Sequence, residues 1–293
     1  MSGTWRGTMP PLIRRMLWLA ALLPMGCAAP ATPPSALEAQ GVALNHRAGQ
    51  AYAEGDFPRA VTLYRQSLQA DRAIENTDGI AADLLDLATV YRQTGDRAAA
   101  RACLAPLVNA HGLPFSASRR ADASLLQALL DLDEEKTRPA ALWLMRARAY
   151  CRPRCRVLGT LLNAQAALAL AQGDAASAHD LAARALHENR AQGNDQETAR
   201  SLRLLAATEP GQARQALMPL GQALRLDKQA GFPTGIFLDL MGLGEANERG
   251  GAWPAAKAYY LRALAVAQAI GNATQADEAR ARLSALGRRI RRP

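Results

Sequence analysis

The side chains of this chain that could do more than pack are four histidines, four cysteines, one acidic run and one arginine cluster. His46, His111, His179 and His187 stand far apart. His179 and His187 are eight residues apart, more than two turns of a helix, so they cannot share a metal ion. Asp131, Asp133, Glu134 and Glu135 gather at one point. Paired carboxylates can serve as general acid and base, but an acidic helix end also reads as a solvated face. The chain has no G-x-S-x-G elbow and no phosphate-binding loop. These patterns predict no catalytic residue, no metal site and no cofactor.

Cys151 and Cys155 flank Arg152-Pro153-Arg154. Pro153 breaks a helix there and lets the pair close as a disulfide, worth at best about 2 kcal/mol for so short a loop. Cys103 is eight residues out of step with Cys151 in the repeat register described next. That is roughly 12 Å along a helix, too far for a bridge. Zinc is the rival for the pair, but no second cysteine pair or adjacent histidine accompanies it. Arg146, Arg148, Arg152, Arg154 and Arg156 form a basic corner. Either they snorkel into solvent and close a helix C-terminus, or they contact an anionic partner, since guanidinium forks match carboxylate and phosphate geometry.

The elements that carry these residues follow from one repeated phrase. Gln165 to Leu186 reads as two short helices with alanines on facing sides, joined by Gly173-Asp174. Glycine stops the first helix and aspartate caps the second. The phrase recurs at Gly55-Asp56 and Gly95-Asp96, and more loosely at Glu135-Lys136, Gly211-Gln212 and Gly251-Ala252. Successive turns are 40, 40, 38, 38 and 40 residues apart. A fixed period near 40 predicts an all-α fold: an α-solenoid of about six helix-turn-helix units. Pro58, Pro139 and Pro254 each open the second helix of a unit, where proline costs no hydrogen bond. Pro106 and Pro219 fall inside second helices and should kink or shorten them. Residues 110–118 read as the longest loop, and Asp277 to Ile290 as a capping helix.

The chain resembles the tetratricopeptide repeat family. The resemblance is carried by Ala48, Ala88, Ala128, Ala166 and Gly244 in first helices and by Ala60, Ala100, Ala140, Ala178, Ala216 and Ala256 in second helices. Ala147, Ala185, Ala223 and Ala263 fill the next small slot. Unit three lacks the turn glycine, and unit five has Leu204 where a small residue is expected. The resemblance implies a binding scaffold whose inner groove is lined by first helices. Carried across, the groove slots hold Asn45, Tyr52, Arg92, Gln93, Leu125, Leu129 and Leu132, then Asn163, Leu170, Met241, Glu245, Glu248 and Arg249. Asn45 and Asn163 would hydrogen-bond an extended ligand over an apolar floor of unit-three leucines. The alternative is that the C-terminal helix folds into the groove and fills it.

Residues 1–26 read as a secretory signal of lipoprotein type. Arg14 and Arg15 precede ten apolar residues, Met16–Met25, then Gly26-Cys27. Ten residues rise about 15 Å as a helix, too short to span a bilayer. Leu23-Pro24-Met25-Gly26-Cys27 resembles a bacterial lipobox, which implies lipidation at Cys27, and Ala28 after it implies sorting to the outer membrane. An ordinary signal peptide cut near Ala29 is the other reading, and translation starts at Met1 or at Met9. Residues 27–36 are an Ala/Pro linker, stiff and without a core, and residues 37–293 are the solenoid.

The net charge is +9; loss of Arg6, Arg14 and Arg15 with the signal leaves +6. An exported basic protein meets anionic envelope polymers or acidic protein faces rather than nucleic acid. The expectation is therefore a non-enzymatic, lipid-anchored outer-membrane lipoprotein facing the periplasm. It would bind a protein segment in envelope assembly or maintenance; the alternative is a module for peptidoglycan or lipopolysaccharide.

Overall fold

Small residues recurring at helix crossings bring backbones close, and a glycine or aspartate at each turn fixes where helices stop and start. The computed structural model describes Gly3 and residues 35–109, 112–151, 156–208 and 213–291. The signal peptide, Cys27 and most of the linker lie outside the described residues. Ser35 and Ala36, assigned by sequence to the linker, are the N-cap and first residue of the first helix.

Thirteen helices and no strand occur among the described residues. They pair as α1 (Ala36–Ala53) with α2 (Phe57–Ala73), α3 (Thr77–Thr94) with α4 (Arg97–Val108), and α5 (Ala117–Leu132) with α6 (Thr137–Tyr150). Next come α7 (Leu158–Ala171) with α8 (Ala175–Ala191), α9 (Asp195–Ala207) with α10 (Ala213–Gln229), and α11 (Pro233–Arg249) with α12 (Trp253–Ala269). The last helix is α13 (Ala273–Ile290). Each helix packs chiefly on its sequence neighbours, and successive first helices also touch, as α3 does α5 and α7 does α9. The fold is an α-solenoid of six helical hairpins closed by a single helix.

The turns work as their residues dictate. Gly55 and Gly95 adopt φ of 82° and 83°, the left-handed region a side chain resists. Asp56, Asp96 and Asp174 accept hydrogen bonds from the amides of Arg59, Ala99 and Ser177 at 3.2, 3.0 and 3.0 Å. Unit three, lacking glycine, forces Glu135 to φ 58°, a strain of about 1–2 kcal/mol.

The crossing alanines pack as the spacing predicts. Ala48, Ala88, Ala128 and Ala166, and the second-helix series Ala60, Ala100, Ala140, Ala178, Ala216 and Ala256, are each at most 1% exposed. At Gly244 a methyl group would stand 2.4 Å from Cε1 of Tyr260, so nothing larger fits. Unit five corrects the sequence register. Its crossing residue is Ala206, which is buried, while Leu204 is only partly buried and faces the inner side. In that unit only ten residues separate the crossing Ala206 from Ala216, where the other units have twelve, so counting back from Gly211 landed two residues early.

The two helix-interior prolines behave differently. Residues after Pro106 remain helical only as far as Val108, giving a helix of 12 residues. Pro219 does not shorten α10, which runs for 17 residues. Each proline leaves unsatisfied the carbonyl of an exposed residue, Ala102 and Gln215, where water can take the place of the missing amide. The connection over residues 109–116 is the longest between helices. The final helix begins earlier than the sequence suggested, at Ala273, because Asn272 caps it by accepting from Gln275 N at 3.1 Å. Ala276, Ala279 and Leu286 seal the end of the core.

One further device repeats. The residue three before the crossing residue in one first helix hydrogen-bonds the residue five before it in the next. Asn45 Nδ2 donates to Asp83 Oδ1 at 2.9 Å, Ser201 Oγ to Asn163 Oδ1 at 2.8 Å, and Arg203 Nη1 to Asp239 Oδ1 at 2.9 Å. Near the end of the intervening second helix stands a third buried polar residue: Asp71, Asn189 or Asp227. Each of these presses on a glycine. A Cβ on Gly79, Gly159 or Gly235 would lie within about 2.5 Å of that side chain.

Candidate functional site

Four first helices and parts of four others enclose a cavity of about 970 Å3 on the inner side of the solenoid. Taking each crossing residue as zero, helices α3, α5, α9 and α11 line it with the same slots, at minus six, minus three, minus two and plus one. Ala82, Leu85, Asp86 and Thr89 come from α3, and Asp122, Leu125, Leu126 and Leu129 from α5. Arg200, Arg203, Leu204 and Ala207 come from α9, and Leu238, Met241, Gly242 and Glu245 from α11. Tyr52, Thr160, Leu220 and Glu278 complete the wall from α1, α7, α10 and α13. The inner face curls far enough that unit two meets unit six: Gln93 Nε2 donates to Thr234 Oγ1 at 2.8 Å. A second depression of about 1120 Å3 lies over the start of α7 and the α8–α9 turn. Residues 192–196 of its lining are exposed, so it is open surface rather than an enclosing site.

The floor is apolar and the walls are charged. Arg92 grips Asp133 through Nε and Nη2 at 2.6 and 3.0 Å, and Arg119 grips Asp78 at 3.0 and 3.1 Å. Burial pushes the Asp122 carboxyl up to about 6, against the pull of Arg119 and Arg156. Its Oδ1 has no hydrogen-bond partner. Burial also raises Asp86 and Tyr52, the latter against the opposing pull of Arg92. Such a site can hold an amphipathic ligand by apolar contact and a few directed polar groups. It contains no nucleophile with an adjacent base, and no cluster of three or more His, Cys, Asp or Glu able to hold a metal occurs among the described residues.

Of the groove residues inferred from sequence, Tyr52, Arg92, Gln93, Leu125 and Leu129 line this cavity, as do Met241, Glu245 and Arg249. The rest do not. Asn45 is spent on Asp83 and Asp86 at 2.9 and 3.0 Å. Asn163 is fully buried and donates to Glu197 O and Oε2 at 3.0 and 2.8 Å, so it is not placed to receive a ligand. Leu132 packs into the core of units three and four, and Leu170 is partly exposed away from the cavity. Glu248 accepts from Tyr260 Oη at 2.9 Å and pairs with Arg289 at 3.5 Å. Sequence reading missed Asp86, Arg119, Asp122, Arg200 and Leu238. Asp122, Arg200 and Leu238 share the slot six before the crossing residue, which shows in unit five only once Ala206 replaces Leu204; Asp86 and Arg119 stand two and nine before theirs.

The basic corner divides. Arg146 donates from Nη2 to Val108 O at 3.0 Å, closing the end of α4, and stacks over Trp143. Arg148 is exposed, while Arg156 reaches the cavity rim. Arg152, Arg154 and Cys155 lie outside the described residues. Cys151 is disulfide-bonded and Cys103 is a free thiol. No helix among the described residues is long and apolar enough to cross a membrane.

No protein-family model matches the sequence, and no curated protein matches it significantly. Solved structures do. The chain is similar to a Rap protein complexed with Competence and Sporulation Factor, at TM-score 0.63 and 13% identity, over 85% of this chain and 71% of that one. It is also similar to the apo form of RapI, at TM-score 0.55 and 10% identity, with the same coverage. A third likeness is to a Signal Transduction ATPase with Numerous Domains bearing a tetratricopeptide repeat sensor, from Pyrococcus horikoshii, at TM-score 0.56 and 14% identity. That match takes in 84% of this chain but spans only 38% of the length of the ATPase. The architecture, read together with these likenesses, is that of a tetratricopeptide-like α-solenoid.

Proposed function

We propose that the chain is a non-enzymatic binding protein that takes a segment of a partner protein into its inner cavity. The observation that carries this reading is the cavity itself. Leu125, Leu126, Leu129, Leu238 and Met241 face a space of about 970 Å3, ringed by charged and hydroxyl groups. That volume is at the upper end of ligand pockets and suits a short extended peptide. A Rap protein of similar fold was solved with Competence and Sporulation Factor bound, which supports the same use of the fold here. The lipobox-like Gly26-Cys27 and the preceding apolar run further support a lipid anchor at Cys27. The protein then works as an adaptor at the periplasmic face of the outer membrane, in envelope assembly or maintenance.

Two experiments test the two halves. Partners captured on the wild-type chain from native envelope extract are compared with those captured on Tyr52→Ala/Leu238→Glu, with folding checked by circular dichroism. The folded variant loses at least one wild-type partner; retention of every partner would remove the cavity as the binding site. Cys27→Ser abolishes incorporation of labelled fatty acid, and label persisting in that variant would remove the anchor.

A further inference from the structure

The outer side of the solenoid carries seams between consecutive units, and one position in each second helix decides how a seam is covered. Counting three residues on from Ala100, Ala140, Ala178, Ala216 and Ala256, that position holds Cys103, Trp143, Leu181, Pro219 and Tyr259. Trp143 packs against the core of units one and two as well as against that of units three and four. Tyr259 likewise packs against two cores, one on each side of it. Cysteine and proline are too small to bridge in this way. At their two positions the seam stays open as a groove, of about 530 Å3 beside Cys103 and about 590 Å3 beside Pro219.

The floors of these grooves match slot for slot. Leu68 and Leu186 stand eight residues after the buried alanine of the preceding second helix. Leu84 and Leu202 stand four before the crossing residue of the following first helix, and Leu87 and Leu205 one before it. The seam between units five and six has leucines at the same three positions, Leu224, Leu240 and Leu243, but there Tyr259 holds the covering position. The rims match as well. Arg72 and Arg190 occupy one equivalent position, twelve after the buried alanine, and Arg65 and Arg214 add a second cation to each groove. All four arginines are exposed. No carboxylate lines either groove, whereas Asp86, Asp122, Glu197, Glu245 and Glu278 line the inner cavity. Burial pushes the Cys103 thiol up against the pull of Arg65 and Arg72, so it serves as a small apolar wall and not as a nucleophile.

We propose that the two outer grooves are equivalent sites for an anionic phospholipid, each laying part of an acyl chain on its leucine floor while the rim arginines hold the phosphate. Guanidinium forks match phosphate geometry, and covering the leucines removes apolar surface from water. Both grooves are of single-ligand size. Two separate and like grooves suit small ligands that bind independently. A protein partner would have to present two acidic, apolar anchors at the separation set by three units of the solenoid. The inference stands apart from the peptide reading of the inner cavity and does not depend on it.

The test is calorimetric titration of the purified full chain with dihexanoylphosphatidylglycerol, kept below its micellar concentration. Dihexanoylphosphatidylcholine, with the same chains and no net charge, is the control. The wild type binds one phosphatidylglycerol per groove, about tenfold more tightly than phosphatidylcholine, the scale of one charge-assisted contact. Cys103→Trp removes one of these sites and Pro219→Trp the other, by covering the seam as Trp143 and Tyr259 cover theirs, and both variants keep the wild-type melting temperature or exceed it. Arg72→Gln with Arg190→Gln, both at exposed positions, leaves melting unchanged and brings the phosphatidylglycerol affinity down toward that of phosphatidylcholine. Phosphatidylglycerol binding that survives undiminished in the double tryptophan variant or in the double glutamine variant would overturn the proposal. Equal affinity of the wild type for the two lipids, or no binding of either, would overturn it too. An acidic protein captured from envelope extract by the wild type and lost from the double tryptophan variant, with no lipid bound, would assign the grooves to a protein instead.

Discussion

Two interfaces in this solenoid are built on the same plan and charged differently. Between units one and two, Asp83 lies beside Asp71 and accepts from Asn45; between units five and six, Asp227 and Asp239 meet Arg203. In both, one carboxylate comes from the second helix, one from the following first helix, and the third side chain from the preceding first helix. The C-terminal set has a guanidinium to neutralise its acids, whereas the N-terminal set has two neutral amides, Asn45 on Asp83 and Asn76 on Asp71, and a nearby hydroxyl, Ser67. Burial drives Asp83 up to about 7, with Asp71 adding to the rise against Asn45 and Ser67. Burial also carries Asp239 up to about 7 against the pull of Arg203, with Asp227 adding to the rise. The lesson is that the repeat fixes where polar groups are buried but not how they are balanced. Between units four and five, the same positions hold Asn163, Asn189 and Ser201 and carry no charge.

The largest effect follows from removing the cation. Arg203→Met leaves two fully buried carboxylates facing each other and costs about 3–5 kcal/mol in urea unfolding at pH 7. Asn45→Ala removes a neutral donor from the matching position and costs about 1–3 kcal/mol. An Asn45→Ala penalty equal to or larger than that of Arg203→Met would break the comparison.

The pH dependence sharpens it. Asp83 and Asp239 hold their protons more tightly in the folded chain than in the unfolded one, where an aspartate titrates near ~3.9. Folding is therefore favoured most around pH 4–5, and stability falls as pH rises through about 7. Asp78, lowered chiefly by its hydrogen bond to Arg119, acts oppositely: its contribution is present above ~4 and lost as pH falls below that. The urea midpoint at pH 5 should exceed that at pH 8, and Asp83→Asn should flatten the difference. Arg203→Met should steepen it, since its acids then lack a cation. Equal midpoints at pH 5 and 8 in the wild type would contradict the protonated pairs.

Much of the fold was legible because alanine spacing and turn residues are local signals. The series from Ala48 to Ala256 and the turns at Gly55, Gly95, Gly173 and Gly251 each determine their own neighbourhood. Unit five was misread because its crossing residue stands two residues nearer the second helix than in the other units, so Gly211 pointed to Leu204 when the crossing belonged to Ala206. That two-residue slip hid the place of Arg200 on the cavity wall. Asn163 was misread for another reason. Its slot faces the next first helix, and only the positions of Ser201 and Glu197 in space reveal that its hydrogen bonds are already used. Pro219 shows the limit of a breaker rule: α10 runs through it for 17 residues.

The central claim is that the inner cavity, not the outer surface, receives the partner. The most direct measurement places a photo-reactive benzoylphenylalanine at Leu126, on the cavity wall, or at Met218, 72% exposed on α10, in the full chain expressed in its native cell. After irradiation the account predicts a discrete crosslinked protein from position 126 and none from position 218. A crosslink from position 218 with none from position 126 would contradict it.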